Sequence, residues 1–561
     1  VSRIAELIAL PLALLAACVG CSFLRAQSPS PPVGTNGARV ISGVVLSGKT
    51  GQPLAEADVT LWDTVARKTA AEITADEEGR FSFSHLADGN FKLSAAHRGY
   101  VTAAYEEHDG AFTGIVTGEG LVSTGLRFTL APQAVLYGTV SDDSGDPVPQ
   151  ARVSLYHQDH RNGLGKMVRA NSTSADARGD FELDHLAPGS YFVAVVARPW
   201  YATHPRLMRD VQGKTIEDRN RSPLDVAYAV TYYPDTTDPG TAAPISVTAG
   251  DRIPISITLH PVPAVHITVQ LSNPGPNQPV IMPQLHQEIF GTSDFVQAGV
   301  SYFQQGDRRD ANSTTTVEIE GVAPGQYGVE LNSQNNESGR FMTIDASSDH
   351  ATADIALANP LVEVSGKVAM ADHGTLPSDL NLILRPQQGD YGTAGRVEAD
   401  GSFHFRPVRP GAYGLVAGAS RHALSVTHLN ANGGGVEGTV LKVGSEPVEL
   451  TVTLSESAAR IIGIAQLDGK PASGVCVVLV PTKPADGSQG GSLNQSDSDG
   501  SFNFPNIAPG EYTLLAIQDG WTLDWARPEV MARYLAKSQK VTVAAHVQDI
   551  HLKDPLEVQP K

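Results

Sequence analysis

The chain has 561 residues. That is more than one hydrophobic core supports, and points to roughly three to five domains. With 54 glycines, 37 prolines, 6% aromatic and 18% charged residues, it has a turn-rich globular composition and not that of a disordered chain. A formal charge of −19 without a basic stripe excludes nucleic acid as a partner, because that affinity comes mainly from Lys and Arg displacing counterions.

The first feature in chain order is Arg3, then an apolar run from Leu7 to Ala17, then Cys18. These are the n-region and h-region of a secretory signal. Leu15-Ala16-Ala17-Cys18 fits bacterial lipoprotein processing: small residues admit the peptidase to the backbone, and the cysteine thiol receives diacylglycerol. Ordinary cleavage near Ala26 and an uncleaved anchor are the competing readings, and Glu6 offsets Arg3 in the n-region. Residues 1–27 are therefore expected to be an export signal with Cys18 as the lipidation candidate. No other stretch is long and apolar enough to span a bilayer, so any membrane contact is expected through the N-terminus alone. The expected location is the outer membrane, the periplasm or the cell surface. Cys21 completes a C-x-x-C with Cys18, but the signal gives it no folded context for redox or zinc chemistry. Residues 28–37 read as a Pro/Gly/Ser tether.

Beyond the tether the chain repeats itself. Gly79-Arg80-Phe81, Gly179-Asp180-Phe181, Gly401-Ser402-Phe403 and Gly500-Ser501-Phe502 are each followed by a second glycine ten residues after the first: Gly89, Gly189, Gly411 and Gly510. A third segment keeps Pro324-Gly325-Gln326-Tyr327 but has Thr315 and Val317 where Gly and Phe are expected. An acidic residue before Gly starts a hairpin, because Gly accepts positive φ. Alternation such as Phe81-Ser82-Phe83 is the period of a half-buried strand, and Pro-Gly makes the next tight turn. Each unit opens with a short strand, as in Gly43-Val44-Val45 or Gly138-Thr139-Val140, and closes with one, as in Leu126 to Leu130 or Ile255 to Leu259. Short strands separated by frequent turns imply a tandem array of about five antiparallel Ig-like or transthyretin-like β-sandwiches, an all-β fold. The boundaries fall near 38–132, 133–262, 263–360, 361–456 and 457–553, with 554–561 as a tail. Unit 2 carries an insertion, 197–250, rich in aromatics. Unit 5 carries a shorter one from Trp521 to Lys537 with helical composition in its second half. Cys476 lies in an apolar run and is predicted to be a buried strand residue, so the sandwiches stand without disulfides.

The order G-x-V, Pro, A-x-V-x-L, G-x-F-x-F, P-G-x-Y resembles the carboxypeptidase regulatory-like domain, a transthyretin-like, carbohydrate-binding-like sandwich found in many exported bacterial proteins. The resemblance is good in units 1, 2, 4 and 5 and weak in unit 3. Its motifs are structural, so it implies a fold and brings no catalytic residues.

Candidate chemistry is sparse. Residues 43–50 match G-x-x-x-x-G-K-[ST], but the stretch is itself the opening strand, and a turn with Pro53 follows it where a phosphate loop needs a helix. No H-x-x-E, H-E-x-x-H or G-x-S-x-G occurs. His157 and His160 form an H-x-x-H without an evident third ligand. Asp497, Asp499 and Gly500 could begin a calcium loop, but the full signature is absent. Glu106, Glu107, His108 and Asp109 read as a solvated charged loop. A Lys and Asn pair of the self-crosslinking adhesin kind is lacking. No cofactor or metal site is expected. The candidates for ligand binding are the aromatics of the unit 2 insertion, Trp200, Tyr201, Tyr232 and Tyr233, with Tyr228 beside them. Aromatic faces can stack on sugar rings, although packing over a sheet edge is their more common use. The sequence thus points to a non-catalytic cell-envelope protein acting as a binding or adhesion scaffold, with a glycan or another envelope protein as partner. The alternatives are a carbohydrate-binding protein serving polysaccharide uptake, and an enzyme with an unrecognised site in unit 2.

Overall fold

The computed structural model describes residues 37–561 apart from 205–207, 210–214, 217–221, 273–281, 297, 306–313, 333–338, 349–350, 355–357, 388–391, 420–423, 456–458, 483–490, 508 and 545–548. Cys18 and the expected export signal lie outside the described residues.

Units 1 to 4 are two-sheet sandwiches on one frame, and unit 5 keeps that frame with its two faces joined through Leu556–Gln559. The opening strand lies between the Gly-x-Phe strand, antiparallel, and the closing strand, parallel. In unit 1, Arg39–Ser47 pairs with Arg80–Leu86 and with Leu126–Leu130. Ala134–Asp142, Val265–Ser272, Val364–Met370 and Ala459–Leu467 take the same place in the units that follow. The facing sheet of unit 1 sets Asp58–Asp63 between Lys68–Thr74 and Gly89–Ala96. Side chains alternate as the period of two demands. Val59, Leu61, Phe91, Leu93 and Ala95 face Ile41, Phe81, Phe83, Phe128 and Leu130 across the gap, all buried. Four further cores, one per unit, repeat this arrangement.

The G-x-V glycine has a steric reason. Gly43, Gly138, Gly366 and Gly463 lie directly opposite Phe81, Phe181, Phe403 and Phe502 in the antiparallel ladder. A Cβ on Gly43 would come 2.8 Å from Phe81 Cζ, and one on Gly463 would come 2.6 Å from Phe502 Cζ. At Gly43 and Gly463 the ring takes space that a side chain would fill, whereas at Gly138 and Gly366 the nearest obstacle is the closing strand's carbonyl, Ile255 O at 1.6 Å and Leu450 O at 2.0 Å. In unit 3 both members change together: Val269 stands opposite Val317, and both are fully buried. Two medium side chains replace none plus one large one, so the volume of the layer is conserved. The departure that weakens the family resemblance of unit 3 is a compensated exchange and not a change of fold.

The Pro-Gly-x-Tyr turn is pinned by its tyrosine. The hydroxyls of Tyr191, Tyr327 and Tyr413 donate to the carbonyls of Ala187, Ala323 and Arg409, four residues back, at 2.8, 2.6 and 2.7 Å. Unit 1 has the buried Phe91 there and does without that bond.

Residues 554–561, read from the sequence as a tail, contain the strand Leu556–Gln559. It pairs with both Ala459–Leu467 and Gly510–Ile517, with Leu556 and Val558 buried. Its alternation over four residues is too short to stand out from flanking prolines in sequence. The insertion of unit 5 holds a single turn of α-helix, Pro528–Met531, and two 3-10 turns, in keeping with the helical composition. No helix among the described residues is long and apolar enough to cross a membrane.

Candidate functional site

The insertions do not hang off the sandwiches; they build joints between them. In unit 2, the strand Val226–Tyr228 of the insertion pairs antiparallel with Pro261–Pro263, the segment leading into unit 3, and the Ala264 amide donates to the Asp225 carbonyl at 3.0 Å. This lays Asp225 against the first strand of unit 3. His204 Nδ1 stands 2.9 Å from Asp225 Oδ1, and His266 Nε2 stands 3.2 and 3.1 Å from Oδ1 and Oδ2 of the same carboxylate. On the far side of His266, Nδ1 faces Glu318 Oε1 at 3.6 Å. All four groups are withdrawn from water: side-chain exposure is 9% for His204, 1% for Asp225 and 3% for His266 and Glu318. Gly321, at a φ of +72°, passes under the His204 ring, where a side chain would collide with it. Burial disfavours charge on His266, but interactions with Glu318 and Asp225 outweigh it and raise the imidazole above its ordinary value. Glu318 Oε2 is buried without a hydrogen-bond partner among the described residues.

The other half of this joint is apolar. The hairpin that joins Met282–Ile289 to Thr292–Val296 turns through Phe290 and Gly291, both at positive φ, +51° and +76°. A two-residue turn of this kind prefers Asn or Gly at its first position, and a bulky residue there is strained. The ring of Phe290 compensates by entering unit 2, with centroids 4.7 Å from Tyr232, 5.3 Å from Tyr156 and 5.6 Å from Phe192. Beside it, Asp294 of unit 3 is bracketed by Arg152 at 2.9 Å and Arg169 at 3.3 Å from unit 2.

Unit 5 reaches back across the chain. Trp521 stacks on His108 of unit 1 at 4.6 Å and 3°. Gln495 donates to the Glu106 carbonyl and to Thr113 Oγ1, with its Oε1 3.1 Å from His108 Nδ1. Asp497 accepts from the Gly114 amide at 2.9 Å and from Asn90 Nδ2 at 2.6 Å. Burial pushes this carboxyl up to about 7, against the hydrogen bonds, which favour its ionised form. On unit 2, Asp524 accepts from the Gly165 amide at 2.7 Å and faces His160 Nδ1 at 3.1 Å. The fully buried Trp525 lies where a side chain on Gly163 would be.

These contacts reassign several residues singled out in the sequence. In the loop Glu106, Glu107 and Asp109 are exposed, as read from the sequence, while His108 and the Glu106 carbonyl dock against unit 5. Asp497 points its carboxylate at N–H donors of unit 1, which is no calcium geometry. His160 turns to Asp524 while His157 meets Tyr191 edge-on, so the H-x-x-H does not converge. Residues 43–50 run from strand into turn with no helix behind them. The four aromatic candidates are not on one face. Trp200 is 71% exposed, with Tyr201 edge-on to it at 5.7 Å; Tyr233 is half-buried; and Tyr232 is buried because Phe290 occupies its face. Cys476 is buried, and burial pushes its thiol up to about 12, so it is inert packing. His204, Asp225, His266 and Glu318 carried no signal in the sequence, because the first two come from the insertion and the others from two strands of unit 3, with no fixed spacing between them.

A cleft of about 1110 Å³ opens along units 3 and 4, with Arg169 of unit 2 at its rim. Among its lining charges Arg409 pairs with Glu330 at 2.7 Å and Arg169 with Asp294, and Arg409 also covers the Phe341 ring at 3.8 Å.

Fold and joints together define a tandem β-sandwich protein whose domains are clamped to one another. The family model of the carboxypeptidase regulatory-like domain matches residues 40–130 and 135–260, so units 1 and 2 are domains of that family. No curated protein matches the chain. Among solved structures, the Bacillus anthracis TIE protein is similar at 10% identity over 74% of each chain, with a TM-score of 0.17. GBS52, a minor pilin of Streptococcus agalactiae, is similar at 14% identity over 40% of this chain and 97% of its own, with a TM-score of 0.21. BcpA, the major pilin subunit of Bacillus cereus, is similar at 11% identity over 76% of this chain and 99% of its own, with a TM-score of 0.14.

Proposed function

We propose that the chain is a non-catalytic scaffold of the bacterial envelope or cell surface, whose clamped sandwiches present a fixed surface for binding or adhesion. The observation that carries this reading is the return of unit 5 to units 1 and 2. Residues about four hundred positions apart meet through Asp497, Gln495 and Trp521, so the array does not behave as beads on a string. Domains joined only by linkers move independently, whereas buried polar and aromatic contacts fix their relative placement. The buried groups around Asp225, Asp497 and Asp524 are engaged in contacts between units, which favours a structural role over a catalytic one. The lipoprotein-like start of the chain supports an N-terminal tether. Fractionation of the native host with mass spectrometry of the mature N-terminus tests the reading. An envelope-bound chain starting at a lipidated Cys18 is expected, an envelope or secreted chain starting near Gln27 keeps the scaffold without the lipid, and a cytoplasmic chain retaining residues 1–27 overturns it.

A second reading, carbohydrate capture, is favoured by one observation, the exposed ring of Trp200. A glycan array on the mature protein, compared with Trp200→Ala, separates the two. Binding lost in the variant supports capture, and an array without signal leaves adhesion to a protein partner.

A further inference from the structure

We propose that His204, Asp225 and His266 bind one divalent transition-metal ion of the zinc class, with Glu318 as the positioning residue behind His266, and that this ion ties unit 2 to unit 3.

Charge is the first argument. The cluster sets two carboxylates and two imidazoles within a few ångströms of one another at side-chain exposures of 9% or less. Two buried negative charges are costly unless compensated. Two protons on the imidazoles would balance them, and so would a single divalent cation on neutral imidazoles. Two histidine nitrogens and one carboxylate oxygen are a donor set that suits zinc and its first-row neighbours, and not calcium or magnesium, which take oxygen ligands.

Geometry is the second. Metal–ligand bonds of about 2.0–2.1 Å at tetrahedral angles put neighbouring donors about 3.3 Å apart. His204 Nδ1 and His266 Nε2 stand 2.9 to 3.2 Å from the Asp225 oxygens, and one donor atom from each of the three residues can be chosen so that all lie within 4.8 Å of one another. The nitrogen–oxygen contacts already have the length of edges of a coordination polyhedron, and the two imidazoles would close on the ion to complete it.

The third argument lies behind the ligands. Metal-bound histidines almost always hand their other ring N–H to a carboxylate or carbonyl, which fixes the tautomer and raises ligand basicity. Glu318 Oε1 stands at that position on His266, on the ring nitrogen away from Asp225. Its second oxygen, Oε2, is buried without a hydrogen-bond partner among the described residues, so His266 is the partner that orients the carboxylate. Glu318 comes from Thr314–Val322, which pairs with the strand bearing His266, with Glu318 directly opposite Thr268.

The ligands come from both sides of the joint: His204 and Asp225 from the insertion of unit 2, His266 from the first strand of unit 3. Bound metal would therefore act on the joint and leave the separate sandwich cores alone.

The test uses the full-length mature chain, stripped with a chelator and titrated with Zn²⁺ by calorimetry and with Co²⁺ by visible absorption. One ion per chain is expected, with Co²⁺ bands of a low-symmetry site containing nitrogen ligands. Zn²⁺ should slow amide exchange at Thr203, Asp225 and Ala264 while leaving the core of unit 4 unchanged, a readout that needs no variant. His204→Ala and His266→Ala should abolish stoichiometric binding. Glu318→Gln should weaken it by about 10–100-fold, the usual effect of removing such a partner. His157→Ala, outside the cluster, should bind as wild type. Absence of one-to-one binding by the wild-type chain, or binding that persists in His204→Ala and His266→Ala, overturns the proposal and leaves a proton-bridged ion cluster at the joint.

Discussion

The two insertions make an instructive pair. That of unit 2 joins neighbours in sequence, and that of unit 5 joins units separated by most of the chain. The first joint combines an apolar plug, Phe290 among Tyr156, Phe192 and Tyr232, with a buried ionic cluster around Asp225. The second relies on directional bonds from the hairpin of unit 5, where Gln495 and Asp497 each engage two or more groups of unit 1, and the insertion adds the stacked ring of Trp521. The linker already holds units 2 and 3 together, so their joint loses little chain entropy on closing and can rest on shape. Units 1 and 5 close a loop of some four hundred residues. The cost grows only as the logarithm of loop length, but nothing local selects the right register. Hydrogen bonds with defined donors and acceptors supply that selection.

The comparison predicts a graded set of effects. The largest belongs to the cores and calibrates the rest. Phe181 is buried in unit 2 opposite Gly138, so Phe181→Ala should destabilise that unit by about 3–5 kcal/mol. Because units 3 and 5 dock on unit 2, their calorimetric transitions should shift with it, and unit 4, which touches unit 3 through Arg409, should shift less. A change confined to unit 2 would mean that the joints transmit nothing.

Trp525→Ala should follow, at no more than about 3–5 kcal/mol, as this fully buried indole spans unit 5 and the Gly163 turn of unit 2. Faster hydrogen exchange at residues 163–165 is the expected sign. Unchanged exchange there, with unit 5 alone destabilised, would place the anchor inside unit 5 only.

Phe290 sharpens the contrast further. Phe290→Ala should cost on the order of 2 kcal/mol, below the value for a fully buried ring because Phe290 is half-exposed. Phe290→Gly should be less harmful than Phe290→Ala, since glycine releases roughly 1 kcal/mol or more of backbone strain at positive φ. If Ala is tolerated better than Gly, the turn is not strained.

The smallest effect is a pH dependence limited to the unit 1 and unit 5 joint. Asp497 is raised from an ordinary carboxylate value of 3.8 to about 7 by burial. A group raised on docking stabilises the docked form fully below its free value, and that contribution is lost as pH rises through the docked one. The joint should therefore be tightest near pH 4 and weaken by pH 7. Asn90 fits this sense: its Oδ1 is buried without a partner, and a flipped amide could accept from a protonated Asp497. Exchange at the Gly114 and Val116 amides, followed from pH 4.5 to 8, should rise with pH beyond the intrinsic trend, and Asp497→Asn should abolish the excess. An excess that survives in the variant would assign it to another group.

The sandwiches were legible because their determinants are local. Alternation of apolar residues, Gly at positive φ and Pro-Gly turns recur within a few positions, and their recurrence identified inward-facing sites such as Phe181 and Phe502. Even the departure of unit 3 is readable once Val269 and Val317 are seen to face each other, although only the ladder register shows that they do. The joints were not legible. His204, Asp225, His266 and Glu318 share no spacing, and Asp497 in isolation looks like an ordinary hairpin residue or a calcium ligand. Tyr232 advertises a surface aromatic until Phe290 is found against it. Period and turn chemistry are written in neighbours along the chain, so the sequence by itself determined the units. Which faces of those units meet depends on residues hundreds of positions apart, and only the tertiary structure decided that.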